Sequence, residues 1–136
     1  MADKIYKGHV GIGEKVSGVA LVAKDNFSAR YDLNRVKGEF SRKAHKLHGE
    51  NYVDRILILD NAKGGVASAW MLAEMKSRGM APAALVLNAS NTIMAQGAAL
   101  ANLPFLDRFD ADITSVVKTG DRVTVDPEAG TLSIHD

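Results

Sequence analysis

Residues 55–87 of this 136-residue sequence read RILILDNAKGGVASAWMLAEMKSRGMAPAALVL. This stretch gives the clearest indication of the fold. Residues 55–59 and 83–87 are continuous apolar runs of the kind found in buried strands. Between them, residues 66–78 carry apolar side chains at helical spacing, and Gly79 is suited to ending a helix. A strand, a helix and a strand in this order favour a parallel pair joined by a crossover helix.

Outside this stretch the sequence is rich in strand patterns. We predict strands at residues 18–22, 27–31, 103–106, 121–125 and 130–134, a short helix at residues 92–101 and a long loop at residues 32–51. The last two strands alternate around a turn and form a terminal hairpin. The order of the elements favours a single β-rich α/β domain spanning residues 1–136. We expect Trp70 and Met71 of the central helix to lie in the core, and the penultimate His135 to be frayed.

Composition limits the classes of function. Hydrophobic residues make up 46% of the chain, charged residues 24%, and the formal net charge is +1, so we expect no nucleic-acid partner. The absence of Cys excludes disulfides, thiol catalysis, thiolate-held iron–sulfur clusters and Cys-type zinc sites in this chain. No signal-peptide pattern or apolar run of about 20 residues is present, so we expect a cytoplasmic protein with no membrane partner.

The strongest local signal for binding is the glycine pair between the first central strand and the helix. The backbone N–H groups of Gly64 and Gly65, at the start of a helix, are suited to an anionic group. Lys63 precedes them and Ser68 follows in the first turn, and both side chains would suit a phosphate or carboxylate. A tight turn without a ligand is the alternative. The spacing matches neither a P-loop nor a dinucleotide-binding fingerprint.

A second polar group follows the next strand and consists of Asn88, Ser90, Asn91 and Gln96. The carboxyl ends of neighbouring parallel strands meet at one edge of a sheet, where such sheets bind ligands. This group therefore either faces the glycine pair or is an ordinary polar loop.

The segment of residues 30–46 is strongly basic, with six basic side chains against two acidic ones. Such a segment steers an anionic substrate or meets an acidic partner, or it is a solvated loop. His45 and His48 lie in or beside it. We expect no metal site in the chain, because Cys is absent and no carboxylates pair at ligand spacing.

The sequence resembles the small-subunit, swivelling-domain family of aconitase X over nearly its whole length. The residues that carry the resemblance are Lys7-Gly8, 18–22, 28–32, 45–49, 55–59 with the glycine pair, 81–86, 93–99 and 119–126. The resemblance implies a swivelling β/β/α domain, similar to the fourth domain of aconitase and to phosphohistidine domains.

The resemblance also implies a function, the small subunit of a two-subunit hydro-lyase that dehydrates a small hydroxy acid. Related enzymes act on cis-3-hydroxy-L-proline or phosphomevalonate. The implied partner is a large aconitase X catalytic subunit, which would hold the main site and any iron–sulfur cluster or metal. We expect no cofactor in this chain and no activity of the chain alone. The alternative is a non-catalytic binding or regulatory module of the same fold.

The resemblance directs the choice of site residues. In the family a Ser follows the second Gly of the loop and is the expected catalytic residue, whereas Gly65 stands there in this chain. We predict Lys63 and Ser68 as catalytic, and Gly64 and Gly65 as substrate-binding. Further substrate contacts are expected from Arg30, His48 and, on the resemblance alone, Ser28. The hypothesis is that Lys63 and the loop amides bind a carboxylate or stabilise an enolate-like intermediate.

A second resemblance concerns the phosphohistidine domains. Residues 64–69 match their G-G-x-x-[SC]-H motif except that Ala69 replaces the phosphorylated His. A phosphocarrier without its nucleophile does not work, so this resemblance supports the fold alone.

Overall fold

The computed structural model of the chain describes residues 4–9, 11–27, 33–34, 37–62, 66–89 and 92–135. The strands are β1 Lys4–Lys7, β2 Val16–Val22, β3 Asn26–Phe27, β4 Leu33–Asn34, β5 Glu39–Phe40, β6 Ile56–Ala62, β7 Ala84–Ala89, β8 Phe105–Leu106, β9 Arg122–Asp126 and β10 Thr131–His135. The helices are α1 Val66–Ser77, α2 Thr92–Leu100 and α3 Ile113–Val116.

One mixed sheet contains eight of these strands in the order β1-β10-β9-β2-β6-β7-β8, with β3 paired to the end of β6. Strands β2, β6, β7 and β8 are parallel, with β6 in register with β7 through Leu57 and Leu85. Strands β1, β10, β9 and β2 are antiparallel. β2 therefore joins the two halves of the sheet.

The parallel strands separate two hydrophobic cores. Helices α1 and α2 cover one face, where Leu72, Met75 and Met94 pack against alternate residues of β6 and β7. On the other face, α3 packs through Ile113 with residues of β9 and β10. The continuous apolar runs of β6 and β7 are explained by burial on both faces.

The predicted strand–helix–strand unit and terminal hairpin are confirmed. Other details differ in the part of the chain that the structure describes, where β1 and α3 were not predicted. β6 continues to Ala62, beyond the predicted strand of residues 55–59, because Asn61 and Ala62 pair with β3. The predicted loop at residues 32–51 contains the short β4–β5 pair. The predicted strand at residues 27–31 is described only at Phe27, where β3 ends.

Gly79 ends α1 as predicted. Its φ of 71° lies in the left-handed region that favours glycine. The Gly79 N–H donates to the Lys76 carbonyl oxygen and the Met80 N–H to the Met75 carbonyl oxygen, at 3.2 and 2.9 Å. These two bonds form a Schellman motif, which satisfies carbonyl groups left free at the end of the helix.

Trp70 is not in the core, so that prediction is wrong. Leu72 and Met75 are buried and Met71 is partly buried, but Trp70 is 69% exposed. At about 100° per residue, Trp70 lies about 200° around the helix from Leu72. Because α1 packs on the sheet through Leu72 and Met75, Trp70 points away from it.

His135 is not frayed, which corrects a second prediction. It is the last residue of β10 and pairs with Arg122 of β9. Its Nε2 atom lies 2.6 Å from the Thr124 hydroxyl oxygen, which lies 2.7 Å from the Ser17 hydroxyl oxygen. Hydrogen bonds to the neighbouring strand therefore hold the end of the chain in the sheet.

Candidate functional site

The candidate site lies at the edge of the sheet where the parallel strands β2, β6 and β7 have their carboxyl ends, here called the carboxyl edge. β6 ends at Ala62 and α1 begins at Val66, while β7 ends at Ala89 and α2 begins at Thr92. The amino ends of both helices therefore lie at this edge. Free N–H groups at a helix start favour anionic groups.

Five of the predicted site residues lie outside the described residues: Lys63, Gly64, Gly65, Ser28 and Arg30. The same holds for Ser90 and Asn91 of the second polar group. In the sequence, Lys63, Gly64 and Gly65 stand between the end of β6 and the start of α1, both of which lie at the carboxyl edge. Ser68 belongs to the first turn of α1, and its side chain is outside what the structure describes. Gln96 lies in the second turn of α2 and is exposed.

Asn88 joins three elements at the carboxyl edge. Its Nδ2 group donates to Asp60 Oδ1 at 2.9 Å and to Asp112 Oδ1 at 2.7 Å. Its Oδ1 atom accepts from the Ile113 N–H at 2.7 Å. One amide side chain thus ties the end of β7 to the end of β6 and to the start of α3. This network therefore holds β6 near its carboxyl end, at Asp60, three residues before Lys63.

Asp112 caps α3 and is the most heavily bonded carboxylate at the edge. It accepts hydrogen bonds from the N–H and hydroxyl of Thr114, from Asn88 Nδ2, from Lys24 Nζ at 3.0 Å and from the Ser115 hydroxyl. The Thr114 hydroxyl, followed by Asn88 and Lys24, holds the pKa of Asp112 far below its usual range. Asp112 is therefore ionised at neutral pH and serves as a fixed acceptor.

Lys24 follows β2 and is the described cation in direct contact with this network. Its hydrogen bond to Asp112 raises its pKa, and its side chain is 61% exposed. Neither Lys24 nor Asp112 was predicted as a site residue. The cap could have been found, because Asp followed by Thr and Ser at the start of a short apolar segment is a helix-start signal.

The described part of the basic segment lies beside the carboxyl edge. Asp25, just after β2, accepts from the Lys46 N–H at 3.1 Å and from the Asn26 N–H at 2.8 Å. Burial raises the pKa of Asp25, but these N–H bonds, together with the nearby His45 and Arg42, outweigh it, so the net shift is downward. Because Asn26 pairs with Asn61 of β6, the basic segment is linked through Asp25 and Asn26 to the strand that leads into the glycine pair.

His45 and His48 have different environments. His45 is 3% exposed, stacks on Phe40 with 4.6 Å between ring centroids, and accepts the Leu47 N–H on Nδ1 at 3.0 Å. Its Nε2 atom lies 2.8 Å from the Asn26 carbonyl oxygen, which can only accept, so Nε2 carries the proton. His45 is therefore a structural residue whose ring is held in place by its neighbours. His48 is exposed on the same turn, accessible to a ligand or partner.

Metal binding finds no support among the side chains that the structure describes, since no three His, Asp or Glu residues there are arranged to hold an ion. Asp112 and Asp25 use their oxygens on protein donors. The described residues of this edge therefore do not fit a cluster or metal ion. In the same part of the chain, no helix is long and apolar enough to span a bilayer.

Known proteins match this chain over nearly its whole length. The family described as "Aconitase X swivel domain" matches residues 5–134. The chain belongs to this family. The phosphomevalonate dehydratase small subunit of Methanocella arvoryzae is 33% identical over 128 residues, covering 94% of this chain and 97% of the relative. That of Thermococcus sibiricus is 31% identical over 130 residues, covering 96% and 98%.

A solved structure agrees in fold. The crystal structure of Thermococcus kodakaraensis aconitase X (holo-form) contains a chain that superposes with a TM-score of 0.91 at 26% identity. The match covers 98% of this chain and 99% of that one. The predicted family and swivelling α/β fold are therefore confirmed. The names of the relatives confirm the predicted class of function, which is that of a hydro-lyase small subunit of the aconitase X type.

Proposed function

We propose that this chain is the small subunit of a dehydratase whose substrate is a phosphorylated hydroxy acid, and that its carboxyl edge closes over the active site of a large subunit. The observation that carries the proposal is the full-length similarity to two phosphomevalonate dehydratase small subunits. Phosphomevalonate carries both a phosphate and a carboxylate, and the amino ends of α1 and α2 at the carboxyl edge suit either group.

Dehydration removes a proton beside the carboxylate and expels hydroxide, so it needs a base, an acid and donors for the negative charge. We assign Lys63 and the amides of Gly64 and Gly65 to an anionic group of the substrate. The hydrogen bonds of Asn88 hold the end of β6 that leads into this loop. Closure of two subunits excludes water from the reaction.

The acid–base group of this chain differs from the family Ser, because Gly65 stands at that position and has no hydroxyl. Ser68 is the hydroxyl residue that follows in the first turn of α1. The large subunit is the other source of such a group. It is also the proposed site of any iron–sulfur cluster or metal, since this chain has no Cys and no described metal cluster.

The test is reconstitution of the chain with the aconitase X large subunit of the same organism. Each subunit and the mixture are incubated with phosphomevalonate or with cis-3-hydroxy-L-proline, and loss of water is followed by mass spectrometry. We expect the mixture of the two subunits to dehydrate phosphomevalonate, and neither subunit to do so by itself. Turnover of hydroxyproline instead would overturn the substrate assignment. Tight association with no turnover of either acid would favour the regulatory module.

The role of Lys63 is tested in the same assay. We expect Lys63→Ala to lower kcat/KM at least tenfold, because an unpaired anionic group must then be desolvated on closure. Lys76→Ala, which removes an exposed ammonium at the far end of α1, is the matched control and should leave kcat/KM unchanged. Equal kcat/KM values for both variants would show that Lys63 does not contact the substrate.

A further inference from the structure

Trp70 is an unusual surface residue. Tryptophan side chains are highly buried on average, yet this one is 69% exposed. Among the Phe, Tyr and Trp side chains that the structure describes, Trp70 is exposed and the others are buried or partly buried. A single exposed apolar side chain needs no explanation by itself, so the meaning of Trp70 depends on where it lies.

Its position is next to the candidate site. α1 begins at Val66, directly after the connection from β6, so Trp70 lies about 6 Å along the helix from the carboxyl edge. Leu100 is also exposed but ends α2, about 12 Å along that helix from the same edge. Of these two exposed apolar side chains on neighbouring helices, Trp70 borders the site and Leu100 does not.

The surroundings of Trp70 have the composition of an interface. Glu74 and Arg78 follow at intervals of four residues and so lie along the same side of the helix. Their side chains pair with each other, Arg78 NH1 to Glu74 Oε1 at 2.9 Å, so this side carries no net charge. A central aromatic residue beside a paired polar group is typical of interface anchors, where Trp is enriched.

We infer that Trp70 is an anchor by which this chain docks on the large subunit, and that the large subunit offers an apolar pocket beside its active site. The inference rests on the proposed function. A partner that covers residues 63–65 would also contact the first two turns of α1, because α1 begins directly after these residues. Trp70 is the exposed apolar side chain among those that the structure describes on these two turns.

The first experiment measures the Kd between the chain and the large subunit of the same organism. Trp70→Ala is expected to raise the Kd at least tenfold, whereas Leu100→Ala should change it less than twofold. Both side chains are exposed, so both variants should unfold at the wild-type temperature. At saturating small subunit, Trp70→Ala should recover the wild-type kcat, because docking and not chemistry is impaired.

The second experiment uses the fact that the chain contains one Trp. With 5-fluorotryptophan in this chain, the fluorine resonance should lose its H₂O/D₂O isotope shift when the unlabelled large subunit is added. A retained isotope shift in the saturated complex, or an unchanged Kd for Trp70→Ala, would overturn the inference and leave the proposed function standing. If the wild-type chain fails to bind the large subunit, both are overturned.

Discussion

At the residue scale, Asp112 concentrates more hydrogen bonds than any other described carboxylate at the carboxyl edge. Its oxygens accept from Thr114, Ser115, Asn88 and Lys24. Each donor stabilises the ionised form, and the side chain also caps α3. Asp112 therefore couples the start of α3 to Lys24, just after the end of β2.

Replacement of Asp112 should make stability less dependent on pH. Because the folded pKa of Asp112 is depressed, its contribution is present above the unfolded pKa of about 3.9 and is lost as pH falls through the folded pKa. We expect Asp112→Asn to lower the free energy of unfolding by about 1 kcal/mol at pH 7, with a smaller difference at pH 3. Urea unfolding at pH 7, 5 and 3 measures this.

The control for this prediction is Asp110→Asn, which changes an exposed carboxylate two residues earlier. It should alter stability little at any of the three pH values. A difference between wild type and Asp112→Asn that grows as the pH falls would contradict the assigned role.

At the scale of elements, the carboxyl edge depends on how β6, β7 and α3 are joined. Their positions follow from apolar burial on the two faces of the sheet. Their ends are fixed by the polar network of Asn88, which donates to two carboxylates and accepts one N–H. An amide suits this place because it offers both donors and an acceptor.

Asn88→Asp should therefore disrupt the edge more than its small change in shape suggests. The carboxylate oxygen that replaces the Nδ2 group would face Asp60 and Asp112 with no proton to donate, and like charges at this distance repel. We expect the free energy of unfolding to fall by about 3 kcal/mol at pH 7, and by less at pH 3, where carboxyl groups gain protons. Thermal and urea unfolding at both pH values are the measurements.

Asn102→Asp provides the comparison for this substitution. Asn102 is exposed at the opposite edge of the sheet, just before β8, so the same chemical change should cost little there. Equal losses of stability for the two variants would show that the Asn88 network does not stabilise the fold.

At the scale of the whole molecule, charge is distributed unevenly although the net charge is only +1. The exposed side chains of Arg42, Lys43 and Lys46 lie on the turn that contacts Asp25 beside the carboxyl edge. A local basic surface steers an acidic partner or an anionic substrate, and its effect weakens with salt.

Charge reversal of Arg42, Lys43 and Lys46 to Glu should slow association with the large subunit at least tenfold at low ionic strength. The dependence of the association rate on salt should become weaker at the same time. Stopped-flow mixing at several salt concentrations measures both. Reversal of Lys15 and Lys76, which lie at the opposite edge, is the control and should change neither; unchanged rates for the triple variant would exclude steering by this surface.

Elements with a local pattern could be predicted from the amino-acid sequence. The apolar runs of β6 and β7 and the hairpin β9–β10 follow from burial and alternation, and the end of α1 follows from Gly79, so all were predicted. The position of the candidate site was also predictable, because parallel neighbours bring their carboxyl ends to one edge. The order of motifs along the chain was sufficient to predict the family.

Which side chains meet depends on how the elements pack in three dimensions. The contact of Lys24 with Asp112 spans 88 residues, and that of Asn88 with Asp60 spans 28, so no local pattern reveals them. The exposure of Trp70 and the burial of His45 also depend on what packs against each side of their segments. Local sequence fixes the period of a helix or strand, but the neighbouring elements decide which face is covered.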